Sequence, residues 1–177
     1  MLFPLFAVVL LGCGPQERYH LKPVLPSLSL AEYESKRSGG EIEDLYALGW
    51  LYLQKGRTRA ASGVFSQLVE RVPRDADAYF YLGVAQAKEQ QKTKSATAFL
   101  RALELAPGLA EAHWALALLN NERGDGYEIA LREAERGLEL DAQSGYGHFV
   151  LGFILCSRGE NESAETALMK AVELDPG

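Results

Sequence analysis

The feature that most constrains this chain is a repeat of 34 or 35 residues. A leucine followed by a small residue recurs in four copies. Two further columns of residues recur with the same spacing: one holds Phe, Ala or Leu, and the other holds Pro or Ala. The three columns are Leu48-Gly49, Leu82-Gly83, Leu116-Ala117 and Leu151-Gly152; Phe65, Phe99, Ala134 and Leu168; and Pro73, Pro107, Ala142 and Pro176. A fixed period of this length indicates an array of similar structural units that stack on one another.

Each unit has the spacing of a pair of amphipathic helices. Leu45, Leu48 and Tyr52 in one segment, and Val64 and Leu68 in the next, are three or four residues apart, which is the spacing of one buried helix face. Small residues would let the two helices of a unit approach closely, while large residues would fill the space between neighbouring units. One pair cannot bury its apolar face alone, so stacking supplies the core, and four copies exceed the roughly three that such arrays need.

The three columns resemble the tetratricopeptide repeat (TPR), whose pattern is W-x2-L-G-x2-Y, then A-x3-F, then P. The first copy matches it at Leu45, Leu48, Gly49, Tyr52, Ala61, Phe65 and Pro73. The resemblance covers residues 42–177 and implies an all-α fold, a right-handed superhelical solenoid of about four helix-turn-helix repeats. Their bounds are 42–75, 76–109, 110–144 and 145–177. The third matches least well and holds a one-residue insertion, which we place at Gly124-Asp125-Gly126.

The resemblance also implies a binding groove, since TPR arrays bind peptides on an inner surface lined by the first helix of each repeat. The corresponding residues are mostly aromatic or aliphatic: Tyr46, Trp50, Leu53, Phe80, Val84, Trp114, Leu118, Asn121, Tyr146, Phe149 and Phe153. The Lys, Arg and Asn residues with which chaperone-binding TPRs hold a terminal carboxylate are missing. We therefore expect an apolar or amphipathic peptide, with the rings as anchors. The alternative is that tight curvature or residues 15–40 bury some of these rings.

The charge of the chain and its lack of known motifs argue against nucleic-acid binding, enzyme activity and metal binding. The formal net charge of -6 disfavours nucleic acid and anionic lipid as partners. The sequence has no common metal, nucleotide or nucleophile motif, so we expect no enzyme activity, no catalytic residue, no cofactor and no metal. His113 and His148 share one repeat column and are interpreted as packing residues. Acidic residues are concentrated in the third and fourth repeats, which a basic partner could use.

The N-terminus has the features of a targeting signal. Residues Leu2 to Leu11 are apolar apart from Pro4, too short for the roughly 20 residues of a membrane-spanning helix and suited to a signal peptide. Leu10-Leu11-Gly12-Cys13 resembles the bacterial lipobox, although no Lys or Arg precedes it. The resemblance implies that residues 1–12 are removed and that Cys13 is lipidated, with palmitate among its acyl chains. A cleaved signal without lipid, or a buried N-terminal strand, is the alternative.

A lipidated Cys13 implies a bacterial envelope protein, anchored in the outer membrane and facing the periplasm, since Gly14 is not the aspartate that retains lipoproteins at the inner membrane. Residues 13–40 contain three prolines and Gly39-Gly40, and are predicted to be a tether. Ser29 and Glu32 have capping-box spacing, which favours a short helix over residues 30–37; disorder is the other interpretation.

The sequence favours a non-enzymatic scaffold or adaptor for protein–protein interaction, a membrane-anchored TPR lipoprotein that binds a peptide segment of an envelope protein. A pilotin-like assembly factor for a type IV pilus or secretin has a similar layout. The TPR portion of a larger enzyme, such as a glycosyltransferase, is an alternative from another class. We also expect the last helix to leave Ala164, Leu168, Ala171 and Val172 partly uncovered, which would permit self-association through this edge or indicate further repeats.

Overall fold

A computed structural model describes residues 41–122 and 126–176 of the chain. Within these ranges it has eight α-helices and no strand. The helices are α1 Ile42–Gln54, α2 Thr58–Arg71, α3 Ala76–Lys88, α4 Lys92–Leu105, α5 Ala110–Asn121, α6 Tyr127–Leu140, α7 Gly145–Arg158 and α8 Asn161–Leu174. Cys13, the predicted tether with its predicted helix over residues 30–37, and most of the predicted insertion at Gly124-Asp125 lie outside the described residues. No described helix is both long and apolar enough to cross a membrane.

The helices belong to two compact units, α1 to α4 in one and α5 to α8 in the other. Consecutive helices pack as antiparallel pairs, so that α1 with α2, α3 with α4, α5 with α6 and α7 with α8 each form one hairpin. Two side-chain caps define where helices begin. The Asp75 carboxylate accepts from the backbone N–H of Asp77 at 3.0 Å, and the Ser144 hydroxyl accepts from that of Gly147 at 3.1 Å. Each satisfies a backbone donor that the first turn leaves open.

In the first unit, a glycine on the first helix of each hairpin lies under a phenylalanine on the second. A Cβ placed on Gly49 would lie 2.6 Å from the Phe65 ring, and one on Gly83 would lie 2.7 Å from Phe99. This close approach within one repeat is the packing that the small-residue column of the sequence predicted. Phe65 also stacks on Tyr81 of the next hairpin, with ring centroids 5.4 Å apart. One ring therefore fills space both within a repeat and between two repeats.

The second unit uses the same contact only in its last hairpin, where a Cβ on Gly152 would lie 2.7 Å from Leu168. The third repeat has Ala117 and Ala134 in the two columns, so neither side chain is large. Trp114, which is 1% exposed, fills the volume instead. A Cβ on Gly147 would lie 2.5 Å from its indole, and one on Gly137 would clash with the indole Nε1.

Candidate functional site

Seven of the eleven residues predicted to line a groove are buried: Tyr46, Leu53, Phe80, Val84, Trp114, Leu118 and Tyr146. A buried side chain cannot contact a peptide unless the structure rearranges, so we assign these seven to the core. The four that remain partly exposed are Trp50, Asn121, Phe149 and Phe153. The predicted aromatic surface is thereby reduced to three partly exposed rings, those of Trp50, Phe149 and Phe153. The other predicted rings are buried, as the alternative interpretation expected for some of them.

The buried rings have identifiable partners. Tyr46 meets Tyr81 edge to face, with centroids 6.3 Å apart, and Phe80 packs on Phe99 at 5.7 Å. Trp114 meets Tyr146 edge to face at 5.6 Å. These contacts join the first helix of one repeat to the second helix or to the next repeat, so the rings stabilise the array and do not face a ligand.

Phe149 and Phe153 form the most coherent surface feature of the second unit. They are one helical turn apart on α7, and their rings are stacked with centroids 6.5 Å apart and planes 14° apart. Both rings are partly exposed, and both pack against a buried core cluster that includes Trp114 and Leu118. The core therefore supports the two rings in a fixed arrangement. We call Phe149 and Phe153, together with Asn121 and Ser157 at their C-terminal end, the α7 aromatic face.

The polar end of the α7 aromatic face joins two helices. The Ser157 hydroxyl lies 2.8 Å from the side-chain oxygen of Asn121 and 2.7 Å from the Ile154 carbonyl. Because the amide has two N–H donors and an acceptor oxygen, this contact leaves Asn121 with hydrogen-bonding capacity that no described residue uses. Sequence inspection identified Asn121 as a lining residue but missed Ser157, whose relevance depends on the meeting of α5 and α7.

In the first unit, Trp50 on α1 is the one predicted lining residue that keeps partial exposure; Tyr46, Leu53, Phe80 and Val84 do not. No basic side chain was predicted at these positions. Lys88 lies at the end of α3, where burial lowers the pKa of its ammonium group. Among the predicted lining residues, this unit therefore offers one partly exposed ring, whereas the second unit offers a supported pair.

A polar cluster that sequence inspection missed joins α6 to the turn before α8. The Tyr127 hydroxyl donates to the Glu160 carboxylate at 2.5 Å, and the Arg158 guanidinium lies 5.2 Å from the Tyr127 ring centroid. Burial and then the Glu160 carboxylate raise the pKa of Tyr127 to about 12. A 33-residue separation between Tyr127 and Glu160, close to one repeat, is the signal that could have indicated this contact.

The two histidines take part in structural contacts. His113 Nδ1 lies 2.8 Å from the Glu133 carboxylate across the α5–α6 hairpin, and His148 Nε2 lies 3.2 Å from the Ala142 carbonyl. Across residues 41–122 and 126–176, no group of three or more His, Cys, Asp or Glu side chains has the arrangement of a metal site. The geometry thus presents surfaces and helix-to-helix contacts, with the α7 aromatic face as the best-formed surface.

Profiles of the tetratricopeptide repeat match residues 46–110 and 147–177 of this chain. This chain is a tetratricopeptide-repeat protein. The two matched segments take in the column residues of the first, second and fourth repeats, while the third repeat, in which Trp114 replaces the usual packing, lies mostly between them. The TPR family consists of helical arrays whose extended surfaces bind other proteins, which places the chain among protein-interaction scaffolds.

Curated relatives of this TPR protein include the mitochondrial import receptor subunit TOM70 of Mus musculus and of Homo sapiens. Each is 23% identical over 130 residues, which is 73% of this chain and 21% of the relative. The chain thus spans about a fifth of the length of the curated relatives it matches.

Solved structures with the same fold include three further TPR proteins. TTC0263 of Thermus thermophilus has a TM-score of 0.72 at 21% identity, over 83% of this chain and 81% of that one. MamA of Desulfovibrio magneticus has 0.68 at 21%, over 83% and 84%. YrrB, described as a TPR protein with an unusual peptide-binding site, has 0.63 at 21%, over 83% and 76%. At these identities the likeness establishes the TPR fold.

Proposed function

We propose that this TPR protein is a non-enzymatic adaptor whose α7 aromatic face binds an apolar or amphipathic peptide segment of another protein. The observation on which the proposal rests is the stacked pair of Phe149 and Phe153, which is partly exposed and supported from below by the core. Aromatic residues, Phe among them, are enriched at protein interfaces, and the side chains that dominate the binding energy lie in well-packed positions.

The geometry suits a peptide for two reasons. Because both rings are supported by buried neighbours, little side-chain freedom is lost when an apolar side chain of the peptide packs on them. Asn121 and Ser157 lie at one end of the pair, where a side-chain amide can donate to a carbonyl of the peptide backbone. Apolar anchoring beside a polar contact is the usual arrangement for peptide recognition. A peptide-binding site in YrrB gives support by analogy.

The direct test replaces both rings and measures partner recovery. We expect Phe149→Ala/Phe153→Ala to reduce crosslinking and recovery of a partner from bacterial envelope extract by about tenfold or more, in keeping with the loss of two anchor side chains. The matched control is Ile129→Ala, since Ile129 is 44% exposed on α6 and lies outside the α7 aromatic face. Equal partner recovery by wild type and the double variant, with both folded by circular dichroism, would overturn the proposal.

We propose further that lipidation of Cys13 anchors the protein to the bacterial envelope, and that its partner is an envelope protein. The support is the lipobox-like Leu10-Leu11-Gly12-Cys13 after an apolar run. A narrower version, an assembly factor of the pilotin kind, is supported by the same layout. We expect labelled palmitate to enter the wild type and Cys156→Ser but not Cys13→Ala. Absence of label from the wild type in a bacterial host would remove the anchor from the proposal.

A further inference from the structure

The outer surface of α8 is an apolar groove with an acidic rim. Leu168, Met169 and Val172 form its floor, Glu165 and Glu173 stand beside them, and Cys156 of α7 borders one end of the groove. The space has a volume of roughly 640 Å³. Met169 is 66% and Val172 is 65% exposed, so two large apolar side chains of one helix face solvent. Ala164 and Ala171, which the sequence suggested would be partly uncovered, are buried against α7.

The structure shows what covers the same surface elsewhere in the chain. The α8 residues Leu168 and Val172 are related by the repeat to Phe65 on α2 and Leu138 on α6. Phe65 stacks on Tyr81 of α3, and Leu138 lies within 2.8 Å of the position that a Cβ on Gly147 of α7 would take. In both cases the first helix of the following hairpin covers the residue.

A third position gives the same answer. Glu165 is related by the repeat to Ser62 on α2, whose hydroxyl donates to the carboxylate of Glu89 at the end of α3. In the first unit, the residue equivalent to Glu165 therefore contacts a polar group at the end of the following helix. Three columns of the outer α8 surface thus correspond to helix-covered columns, which indicates that its occupant is an α-helix.

The charge of the rim indicates the chemistry of that helix. The α8 segment contains three glutamates and one lysine. Lys170 pairs with Glu173 at 2.9 Å in an exposed contact, which in water contributes little. Glu165 has no cation partner among the described residues. Basic side chains that flank an apolar stripe would meet Glu165 and Glu173, and their contribution would decrease as salt screens it.

The same charges disfavour a second copy of this chain as the occupant. Glu165 and Glu173 are each four residues from Met169, so two antiparallel α8 helices crossing at Met169 would place Glu165 of each copy opposite Glu173 of the other. Like charges at a symmetric interface oppose association. A helix of opposite charge meets no such penalty.

We infer that the outer groove of α8 is a second docking site, which takes an amphipathic helix of a partner whose apolar stripe is flanked by Lys or Arg. This site is separate from the α7 aromatic face and does not depend on the function proposed for that face. It gives a role to the exposed Val172 and to the acidic bias of the fourth repeat.

The test uses the full chain and two synthetic helical peptides of the length of α3. Both carry the same leucine stripe, one flanked by lysines and the other by glutamates, and binding is followed by fluorescence anisotropy. We expect the lysine peptide to bind at least about tenfold more tightly at low salt, with the ratio decreasing as salt is added. It should also slow modification of the exposed Cys156 by a maleimide, because that thiol borders the groove.

Variants decide where the peptide binds. Glu165→Lys/Glu173→Lys should invert the preference between the two peptides. Val172→Asp should abolish the binding of both peptides, and because Val172 is exposed, this substitution should leave the fold intact. The matched control is Glu162→Lys/Glu135→Lys, which makes the same change in net charge at exposed residues outside the groove. Equal binding of the two peptides, or inversion by the control, would overturn the inference.

Two further outcomes would contradict it. A concentration-dependent dimer in light scattering that Met169→Glu dissociates would show that a second copy covers the groove. Loss of lysine-peptide binding in Phe149→Ala/Phe153→Ala would show that the peptide binds at the α7 aromatic face, which would overturn this inference while supporting the function proposed above. We expect a monomer, and unchanged affinity in the ring variant.

Discussion

The second and third repeats hold their two helices together with different side chains. In the second repeat, Phe99 of α4 lies directly over Gly83 of α3, and a Cβ on that glycine would be 2.7 Å from the ring. In the third repeat the equivalent residues are Ala134 and Ala117, which are too small to fill the same space. Trp114 of α5 supplies the volume from a column where the second repeat has Phe80.

The two solutions differ in their chemistry. Phe99 has no polar atom, so its burial leaves no hydrogen-bonding group without a partner. Trp114 carries an indole N–H, and neither its Nε1 nor the hydroxyl of the adjoining Tyr146 has a partner among the described residues. A buried donor without a partner has an energetic cost. The third repeat therefore gains ring volume at the expense of polar satisfaction, and it depends on one side chain.

The largest expected effect in this comparison comes from Trp114→Ala. Removal of a fully buried indole should lower the free energy of unfolding by about 3–5 kcal/mol, because Gly137 and Gly147 offer no side chain that could fill the cavity. The matched control is Trp50→Ala, since Trp50 is partly exposed and should cost markedly less. Urea unfolding followed by circular dichroism measures both. Equal losses from the two variants would show that Trp114 is not the main filler of the third repeat.

The helix pairs of the fold could be predicted from sequence, because columns such as Gly49 with Phe65 report a local contact within one repeat. The role of each ring could not. Whether Trp114 faces a ligand or the core depends on the small volume of Ala117 and Ala134. It also depends on the two glycines that its indole contacts, Gly137 on α6 and Gly147 on α7. Read together, the two alanines with Gly137 and Gly147 would have indicated a void that only a large neighbour could fill.

The candidate site shows the same limit. Tyr146, Phe149 and Phe153 lie on one side of α7 by helical spacing, yet the first is buried and the other two are partly exposed. Spacing gives the side of the helix on which a residue lies but not how far a neighbouring helix extends over it. The contact of Phe149 and Phe153 with a peptide stays a prediction, as does the lipidation of Cys13.

An intermediate effect is expected where the glycine–phenylalanine contact of the second repeat is disturbed. Gly83→Ala would place a methyl group against the Phe99 ring, and this overpacking should cost about 1–3 kcal/mol. The matched control is Gly63→Ala within α2, where nothing lies within 4 Å of the new Cβ. That change should instead stabilise the helix by about 0.5–1 kcal/mol.

Opposite signs for Gly83→Ala and Gly63→Ala in thermal and urea unfolding would support close helix approach as the function of the small-residue column. Gly83→Ala/Phe99→Leu should recover part of the loss, because the smaller side chain frees space for the methyl group. If Gly83→Ala also stabilised the protein, the Phe99 contact could not be as tight as the structure has it.

The smallest effect concerns the polar atoms left by the Trp114 arrangement. Tyr146→Phe removes a buried hydroxyl that has no partner among the described residues, so we expect no loss of stability and a gain of up to about 1 kcal/mol. The matched control is Tyr127→Phe, which removes a hydroxyl that donates to Glu160 at 2.5 Å. It should destabilise the protein, by less than about 1 kcal/mol because this contact is exposed.

The decline of stability at alkaline pH gives a further test of the Tyr127 contact. The pKa of Tyr127 is raised from 10.0 to about 12, by burial and by Glu160, so in this range the unfolded chain releases the phenol proton before the folded protein does. The stability that Tyr127 contributes is therefore complete below pH 10 and is lost as pH rises towards 12. Tyr127→Phe should make this decline shallower, and Glu160→Gln should lower the Tyr127 pKa in a spectrophotometric titration. An unchanged titration curve in Glu160→Gln would show that the hydrogen bond does not hold the proton on Tyr127.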